Sequence, residues 1–272
     1  MDLLYKIIMT DKYINYKGAW VFAHDAHKEH KLSDTDVAAL LNKGGLMVRN
    51  VYDFDCGDET SFWYVIKDSF GGMEELSSKM RNQVKKCFKT MHVERIAADY
   101  LANNGYEVFV AAVDNYRIKA TAPTKEEFED RISKGTENEY WGVIDNETGK
   151  LVAFSMNAVT NECCEYRTMK AIPKYQKLYA YYGLIYEMNR YYLEERKVKY
   201  VNDGARSITN HSNIQPFLID KFRFRKAYCH ISIKYKWWFG IAIAISYPFR
   251  RLIPLRQVKA LLDMEEIARG SL

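Results

Sequence analysis

The feature that most constrains the fold is a pair of apolar runs separated by a tight-turn sequence. Residues 140–144 and 151–158 have the composition of buried strands, and Asp145 and Gly149 lie between them. Asp and Gly favour the reversed backbone of a hairpin turn, so the two runs are predicted to pair as antiparallel strands. A third apolar run at residues 163–169 extends the predicted hairpin into a three-stranded meander.

The segments on either side of this meander predict a mixed order of helices and strands. Before it, we expect helices at 74–91 and 94–103, a strand at 106–113, and a helix at 124–134 opened by a capping box of Thr124 and Glu127. After it, we expect a Tyr-rich helix at 178–193, a strand at 200–202, a helix at 213–222 and a strand at 226–233. A meander that leads into a helical crossover is typical of an α/β fold with a mixed sheet.

Length and composition favour one main domain with additions at both ends. The chain has 272 residues, of which 48% are hydrophobic and 28% are charged. These values are ordinary for a folded protein and exclude disordered, collagen-like and coiled-coil chains. We expect an N-terminal extension at 1–72 packed on the main domain, a main domain at 73–234 and an apolar, basic tail at 235–272.

The cysteines and the apolar runs predict a cytoplasmic protein. The five cysteines are an odd number and show no CxxC spacing, so we expect them to be reduced. No signal peptide is evident around the apolar run at 3–9, and the run at 237–247 is about half of the roughly 20 residues that a spanning helix needs. The net charge of +5 suits an anionic ligand without indicating nucleic-acid binding.

Two motifs carry a resemblance to a known superfamily. The segment Asn213-Ile-Gln-Pro-Phe-Leu-Ile-Asp-Lys-Phe-Arg-Phe224 resembles the late motif of the GNAT superfamily of acyl-CoA N-acyltransferases, in which an Asn, a helix and a Lys-Phe-Gly-Phe-like turn precede the final strand. Residues 77–86 resemble the Lys/Arg-Asn helix of the Fem-type branch, whose members transfer aminoacyl groups from tRNA. The resemblance covers about residues 74–234 and implies a GNAT-like fold.

The resemblance also implies where an acyl donor would bind. In the superfamily a helix N-terminus after the meander binds a pyrophosphate, and here that turn holds Lys174, Gln176 and Lys177. Acetyl-CoA or another acyl-CoA is therefore the implied co-substrate, although solvated turn lysines are an equally good interpretation. The family pattern has small residues where this chain has Tyr179 and Tyr181.

Candidate catalytic residues follow from the chemistry of acyl transfer to an amine, which needs a proton acceptor and a proton donor. We predict that two neighbouring strands separate near Glu165 and Asn202, and that Glu165 is the base, directly or through water, with Asp203 as the alternative base. An exposed Glu165 paired with Arg167 is the alternative. The superfamily's usual acid, a Tyr, is replaced by Ile219, so Tyr228 and Tyr166 are candidate substitutes. Asn213 either lines the site or caps its helix.

Other patterns leave alternatives open. His24, His27 and His30 lack the companions of a recognised metal site, so no metal is predicted. The basic helix residues Lys79, Arg81, Lys85, Lys86 and Lys89 either bind phosphate or are solvated. Residues 234–256 combine Trp and basic residues as in a bilayer interface, or pack against the domain.

The sequence therefore predicts an N-acyltransferase that moves an acyl group from acyl-CoA, or from another carrier, to a small-molecule or other amine. The first alternative is a catalytically inactive GNAT-fold module that binds a ligand or a membrane surface. The second is a Fem-type aminoacyl transferase that uses aminoacyl-tRNA.

Overall fold

The computed structural model describes residues 9–10, 13–116, 121–135, 138–208 and 213–270, so the apolar run predicted at 3–9 lies largely outside the described residues. The strands are β1 (Met9–Thr10), β2 (Tyr13–Tyr16), β3 (Ala19–Phe22), β4 (Met47–Tyr52), β5 (Phe62–Lys67), β6 (Met91–Ile96), β7 (Asn138–Asp145), β8 (Leu151–Val159), β9 (Cys163–Ala171), β10 (Tyr200–Ala205) and β11 (Arg225–Tyr235). The α-helices are α1 (Asp34–Asn42), α2 (Ser78–Thr90), α3 (Ala98–Asp114), α4 (Lys125–Ser133), α5 (Pro173–Gln176), α6 (Ala180–Asn189), α7 (Ile214–Phe222), α8 (Trp237–Ser246) and α9 (Arg256–Arg269).

The chain divides into two compact units. The first unit comprises the described residues up to Tyr64, the segment 205–208 and the residues from Lys226 onward. The second unit comprises Val65–Gly204 and residues 213–225. Both units are mixed α/β, which confirms the predicted fold class, while the boundaries predicted at 72 and 234 stay a prediction.

The second unit contains the predicted meander. Its strands lie in the order β10-β9-β8-β7-β6, with β10 parallel to β9 and the other pairs antiparallel. The predicted hairpin of β7 and β8 is confirmed, because the Asp145 carboxylate accepts the Thr148 N–H at 2.9 Å and Gly149 has a φ of 66°. The capping box of Thr124 and Glu127 at the start of α4 is also confirmed.

Helices cover both faces of this sheet. On one face, α3 and α4 contribute Leu101 and Phe128 to a core with Phe154 of β8. On the other face, α6 continues as a π-helical segment, Arg190–Glu195, and Trp141 of β7 donates its indole N–H to the Tyr192 hydroxyl at 2.9 Å. The predicted helix at 178–193 is therefore present but begins at Ala180 and changes its hydrogen-bonding pattern before its end.

Two predicted elements before the meander are wrong. Residues 106–113 are the second half of α3 and not a strand, and residues 91–96 form β6, so the helix predicted at 94–103 begins only at Ala98. The error came from interpreting Gly105 as a helix end. Gly105 is inside α3, and a Cβ there would lie 2.6 Å from a methyl group of Leu101 and 3.0 Å from the Phe128 ring. The glycine allows the close approach of α4.

In the first unit the strands lie in the order β1-β2-β3-β4-β11, with β3 and β4 parallel. One core cluster joins Trp20 to Leu40 of α1, and a second packs Ile267 of α9 against Ile231 of β11. The imidazole rings of His24 and His30 pack against the Phe22 ring, with centroid distances of 4.7 and 5.6 Å, respectively.

None of the five cysteines, all of which lie in the described residues, forms a disulfide. None of the described helices combines the length and the apolar character needed to cross a bilayer.

Candidate active site

The strands β9 and β10 separate where the sequence predicted. They pair in parallel at only three positions, the last of which sets Asn202 opposite Glu165. Beyond it, β9 continues to Ala171 and β10 to Ala205, and no described strand pairs with this side of β9. A cleft of this kind leaves unpaired peptide groups along one strand edge, which a ligand can use.

A β-bulge lies next to this separation. In the ladder with β8, Thr168 is opposite Met156 and Tyr166 is opposite Asn157, so Arg167 is an extra residue. Bulges bend a strand and redirect its side chains, and they are frequent beside active sites. The sequence carried no signal for this bulge, because the register of β8 and β9 is a property of the assembled sheet.

Asp203 is the most perturbed acidic group at the separation. It follows Asn202, the last residue of β10 that pairs with β9. Desolvation raises its pKa to about 7, repulsion by Glu165 adds to that rise, and a hydrogen bond with Gln215 of α7 opposes it. The carboxyl group therefore exchanges its proton near neutral pH, as a general base must.

Glu165 adopts the alternative arrangement that the sequence allowed. Its carboxylate accepts a 3.0 Å hydrogen bond from Arg167, and the two side chains are 40% and 56% exposed, respectively. The carboxylate also borders Gly204, where a Cβ would lie 3.8 Å from its Oε1 atom. Glu165 is thus close enough to Asp203 to act on its charge while remaining solvated itself.

Two tyrosines were predicted as proton donors, and both are engaged. The buried Tyr166 donates its hydroxyl to Asn189 at 3.0 Å, and burial, with further contributions that include Asp203, raises the pKa of its phenol well above the usual value. Tyr228 belongs to the first unit, where it donates to Glu59 at 3.0 Å. Desolvation and this hydrogen bond raise the pKa of Tyr228 as well.

The turn between β9 and α6 holds the edge of β9. The Ile172 N–H donates to the Val152 carbonyl of β8. Because consecutive peptide N–H groups of a strand point in opposite directions, the Ala171 N–H points away from β8, to the side of β9 that has no partner strand there. The Tyr181 hydroxyl accepts that N–H, and the Gln176 side chain donates to the Ala171 carbonyl at 2.9 Å. Both peptide groups of Ala171 are thereby occupied by the protein.

The other predicted donor-site residues face solvent. Lys174 and Lys177 are exposed, and neither has an ion-pair partner among the described residues. Lys174 lies over the Tyr175 ring at 5.2 Å. Asn213 occupies the N-cap position of α7, but its side chain makes no capping hydrogen bond, so a ligand role for Asn213 stays a prediction.

Two positions that the superfamily pattern fills with glycine keep a glycine-like backbone here. Tyr179, which precedes α6, has a φ of 69°, and Arg223, in the turn after α7, has a φ of 59°. A residue with a side chain is uncommon in this left-handed region. The turns therefore keep the backbone that a glycine pattern requires, although the glycines are absent.

The basic helix α2 lies beside the start of α6. Lys79, Lys85, Lys86 and Lys89 are exposed, and Lys86 lies over the Tyr179 ring at 6.0 Å. Arg81 is different, because it donates to the Leu76 carbonyl at 2.9 Å and is therefore turned to its own helix start.

Sequence reasoning missed a buried polar network behind the sheet. The Tyr192 hydroxyl donates to Glu139 at 3.1 Å and accepts hydrogen bonds from Trp141 at 2.9 Å and from Asn157 at 3.4 Å. The only signal was the polar Asn157 in an otherwise apolar strand. The hydroxyl has its full set of partners, so the network holds the π-helical segment on the sheet.

Comparison with known proteins shows a similarity of fold. No family model and no curated protein matches the chain. The crystal structure of FemX matches with a TM-score of 0.53 and 10% identity, over 77% of this chain and 78% of that one. The C-terminal domain of a putative lysylphosphatidylglycerol synthetase from Agrobacterium fabrum matches with a TM-score of 0.52 and 10% identity, over 85% and 83%.

A GCN5-related N-acetyltransferase-like protein from Streptococcus suis 89/1591 also matches, with a TM-score of 0.38 and 10% identity, over 80% of this chain and 79% of that one. The similarity to FemX and to the lysylphosphatidylglycerol synthetase domain shows that the chain has a GNAT-like fold with Fem-type features.

Proposed function

We propose that the chain transfers an acyl group from an activated carrier to an amine in the cleft between β9 and β10, with Asp203 as the general base. The observation that carries this proposal is the pKa of about 7 for the Asp203 carboxyl, at the point where the two strands separate. Asp203 replaces Glu165 as the preferred base, because Glu165 is solvated and held by Arg167.

The chemistry needs one carboxyl group to move one proton twice. Asp203 takes a proton from the attacking amine as the new bond to the acyl carbon forms. The same carboxyl then gives that proton to the leaving oxygen or sulfur of the carrier as its bond to the acyl carbon breaks. A pKa near the working pH serves both transfers, and N–H groups on the open side of β9 would polarise the acyl carbonyl.

Glu165 acts as a positioning residue for this chemistry. Its negative charge raises the pKa of Asp203, while the ion pair with Arg167 holds the Glu165 carboxylate in place. Without Glu165, Asp203 would be a weaker base at neutral pH.

We propose aminoacyl-tRNA as the carrier. An acyl-CoA arm contains amide groups that would seek the free edge of β9, and both peptide groups of Ala171 are already held by Tyr181 and Gln176. The exposed lysines of α2 and of the α5 turn supply cations for a polyanion. The similarity to FemX supports this choice, because the sequence resembles the Fem-type branch that uses tRNA.

Acyl-CoA is the second candidate, and one observation favours it. Tyr179 keeps the left-handed backbone of the glycine in the CoA-binding pattern, so the N–H groups at the start of α6 stay available to a phosphate. In this case Lys174 and Lys177 would bind the pyrophosphate.

Direct binding separates the two carriers. We expect bulk aminoacylated tRNA to bind the protein on nitrocellulose filters with an affinity that falls steeply with salt, and we expect acetyl-CoA at saturating concentration to leave the melting temperature unchanged. A shift with acetyl-CoA and no retention of tRNA would select acyl-CoA. Failure of both would contradict the transferase proposal.

The role of Asp203 is tested by Asp203→Asn against Asp220→Asn, which alters an exposed acid of α7. With a panel of primary amines as acceptors, Asp203→Asn should slow transfer by about 10²–10⁴-fold, the usual contribution of a general base, and leave carrier binding intact. Equal rates for the two variants would exclude Asp203 as the base.

A further inference from the structure

An exposed apolar surface lies on the C-terminal part of the first unit. Of the ten large hydrophobic side chains that are exposed in the described residues, seven lie between 237 and 255. They are Trp237, Trp238, Ile241, Ile245, Phe249, Leu252 and Leu255, here called the apolar face. Trp237 and Leu252 are 79% and 78% exposed. Concentration of such side chains in one segment marks an interaction surface.

The apolar face is held in place at both ends. Before α8, the Tyr235 hydroxyl donates to Glu265 of α9 at 2.7 Å. After α8, Arg250 pairs with Glu266 at 2.8 Å and lies over the Tyr247 ring at 4.4 Å. The exposure is therefore a property of an ordered segment whose position α9 determines.

The inner side of α8 is already used for packing. Ile243 is 4% exposed, whereas Ile241 and Ile245 on the outer side are 54% and 66% exposed. A ten-residue helix without a single charged residue thus needs only one side for its own unit and leaves the other side without a described partner.

The segment that carries the apolar face holds charges of one sign only, whereas Glu265 and Glu266 of α9 contact its two ends. Residues 234–262 contain no Asp or Glu and six basic residues, namely Lys234, Lys236, Arg250, Arg251, Arg256 and Lys259. Apart from Arg250, none of them has an ion-pair partner among the described residues. A basic rim around exposed Trp and Ile side chains complements a surface that is apolar below and anionic above.

We propose that the apolar face binds the surface of an anionic lipid bilayer, with α8 lying in the plane of the interface. At about 1.5 Å per residue, α8 spans about half of the ~30 Å hydrocarbon core, so it can lie in the interface but not cross it. Trp237 and Trp238 enter at the headgroup level, and the basic rim contacts lipid phosphates. The proposal does not depend on the transfer chemistry.

A second copy of the chain is the less suitable occupant. A symmetric contact through the apolar face would bring two identical basic rims together, and like charges at short distance repel. An anionic bilayer removes that conflict.

Vesicle sedimentation tests the proposal with the full chain. We expect binding to vesicles of equal parts phosphatidylcholine and phosphatidylglycerol, at least tenfold weaker binding to pure phosphatidylcholine, and a loss of the difference at high salt. Trp237→Ala with Trp238→Ala should weaken binding to the anionic vesicles at least tenfold. Tyr16→Ser, which changes an exposed aromatic residue outside the apolar face, should have no effect.

The basic rim has its own control. Arg251→Glu with Arg256→Glu should abolish the preference for anionic vesicles, whereas Lys31→Glu with Lys43→Glu, at exposed positions elsewhere in the first unit, should keep it. Circular dichroism checks that each variant is folded. Undiminished binding of the Trp or Arg variants would overturn the proposal. A second outcome would also overturn it. If the protein does not bind vesicles, and light scattering shows a dimer that the Trp substitutions convert to a monomer, the apolar face joins two copies of the chain.

Discussion

The cleft of the second unit and the apolar face of the first unit depart from ordinary protein surfaces in opposite ways. In the cleft, the carboxyl of Asp203 is held away from water, and its pKa rises to about 7 as a result. On the apolar face, the indole ring of Trp237 remains 79% exposed. Carboxylates are normally solvated and large apolar rings normally buried. The comparison shows that residues whose surroundings oppose their chemistry are the useful candidates for function.

The two departures should differ in what they cost the folded state. A desolvated carboxyl group opposes folding at any pH at which it must ionise. An exposed apolar side chain costs little, because it is equally exposed in the unfolded chain.

Asp203 should therefore give the largest effect, and that effect should depend on pH. Its pKa is near 3.8 in the reference state and about 7 in the fold, so its stabilising contribution is present below pH 4 and is lost as the pH rises through 7. Between these limits the free energy of unfolding should fall by about 2–4 kcal/mol relative to Asp203→Asn.

Urea unfolding of both proteins at several pH values from 5 to 8 measures this difference. The free energy of unfolding of Asp203→Asn should increase relative to that of the native protein as the pH rises. Parallel stability curves would show that the carboxyl group is not desolvated and would remove the contrast with the apolar face.

The two sides of α8 offer a matched pair of the same residue type. Ile243→Ala should lower the free energy of unfolding by about 2–3 kcal/mol, because it empties a buried position. Ile245→Ala, on the outer side, should change it by less than about 0.5 kcal/mol. Similar melting temperatures for the two variants would mean that the outer side is packed after all.

The smallest effect is expected at Tyr179. Both Tyr179→Gly and Tyr179→Ala remove the ring, but only glycine adopts a φ of 69° without strain. The Gly variant should therefore be more stable than the Ala variant by about 1 kcal/mol. The comparison of two unfolding curves suffices, and an Ala variant of equal stability would indicate that the turn has changed its backbone.

Elements of the fold that depend on neighbouring residues could be predicted from the sequence. The β7–β8 hairpin followed from Asp145 and Gly149, and the start of α4 followed from Thr124 and Glu127. Gly105 could not be interpreted in this way, because the reason for the glycine is the approach of Phe128, which is distant in sequence.

The candidate site divides along the same line. The separation near Glu165 and the place of Asp203 beside it were predictable, since polar residues at strand ends next to a change of pairing tend to line ligand sites. The contacts of Gln215 with Asp203 and of Tyr181 with Ala171 were not, because each joins elements whose register is set by the whole sheet.

The extra residue at Arg167 changes the side on which β9 presents its later residues. In a regular strand, Glu165 and Lys170 would project from opposite surfaces, because five positions separate them. The extra residue shifts the alternation of side chains by one position. The Glu165 and Lys170 side chains therefore project from the same side of the sheet. A gap-free alignment of β9 with an unbulged strand would therefore assign half of its side chains to the wrong surface.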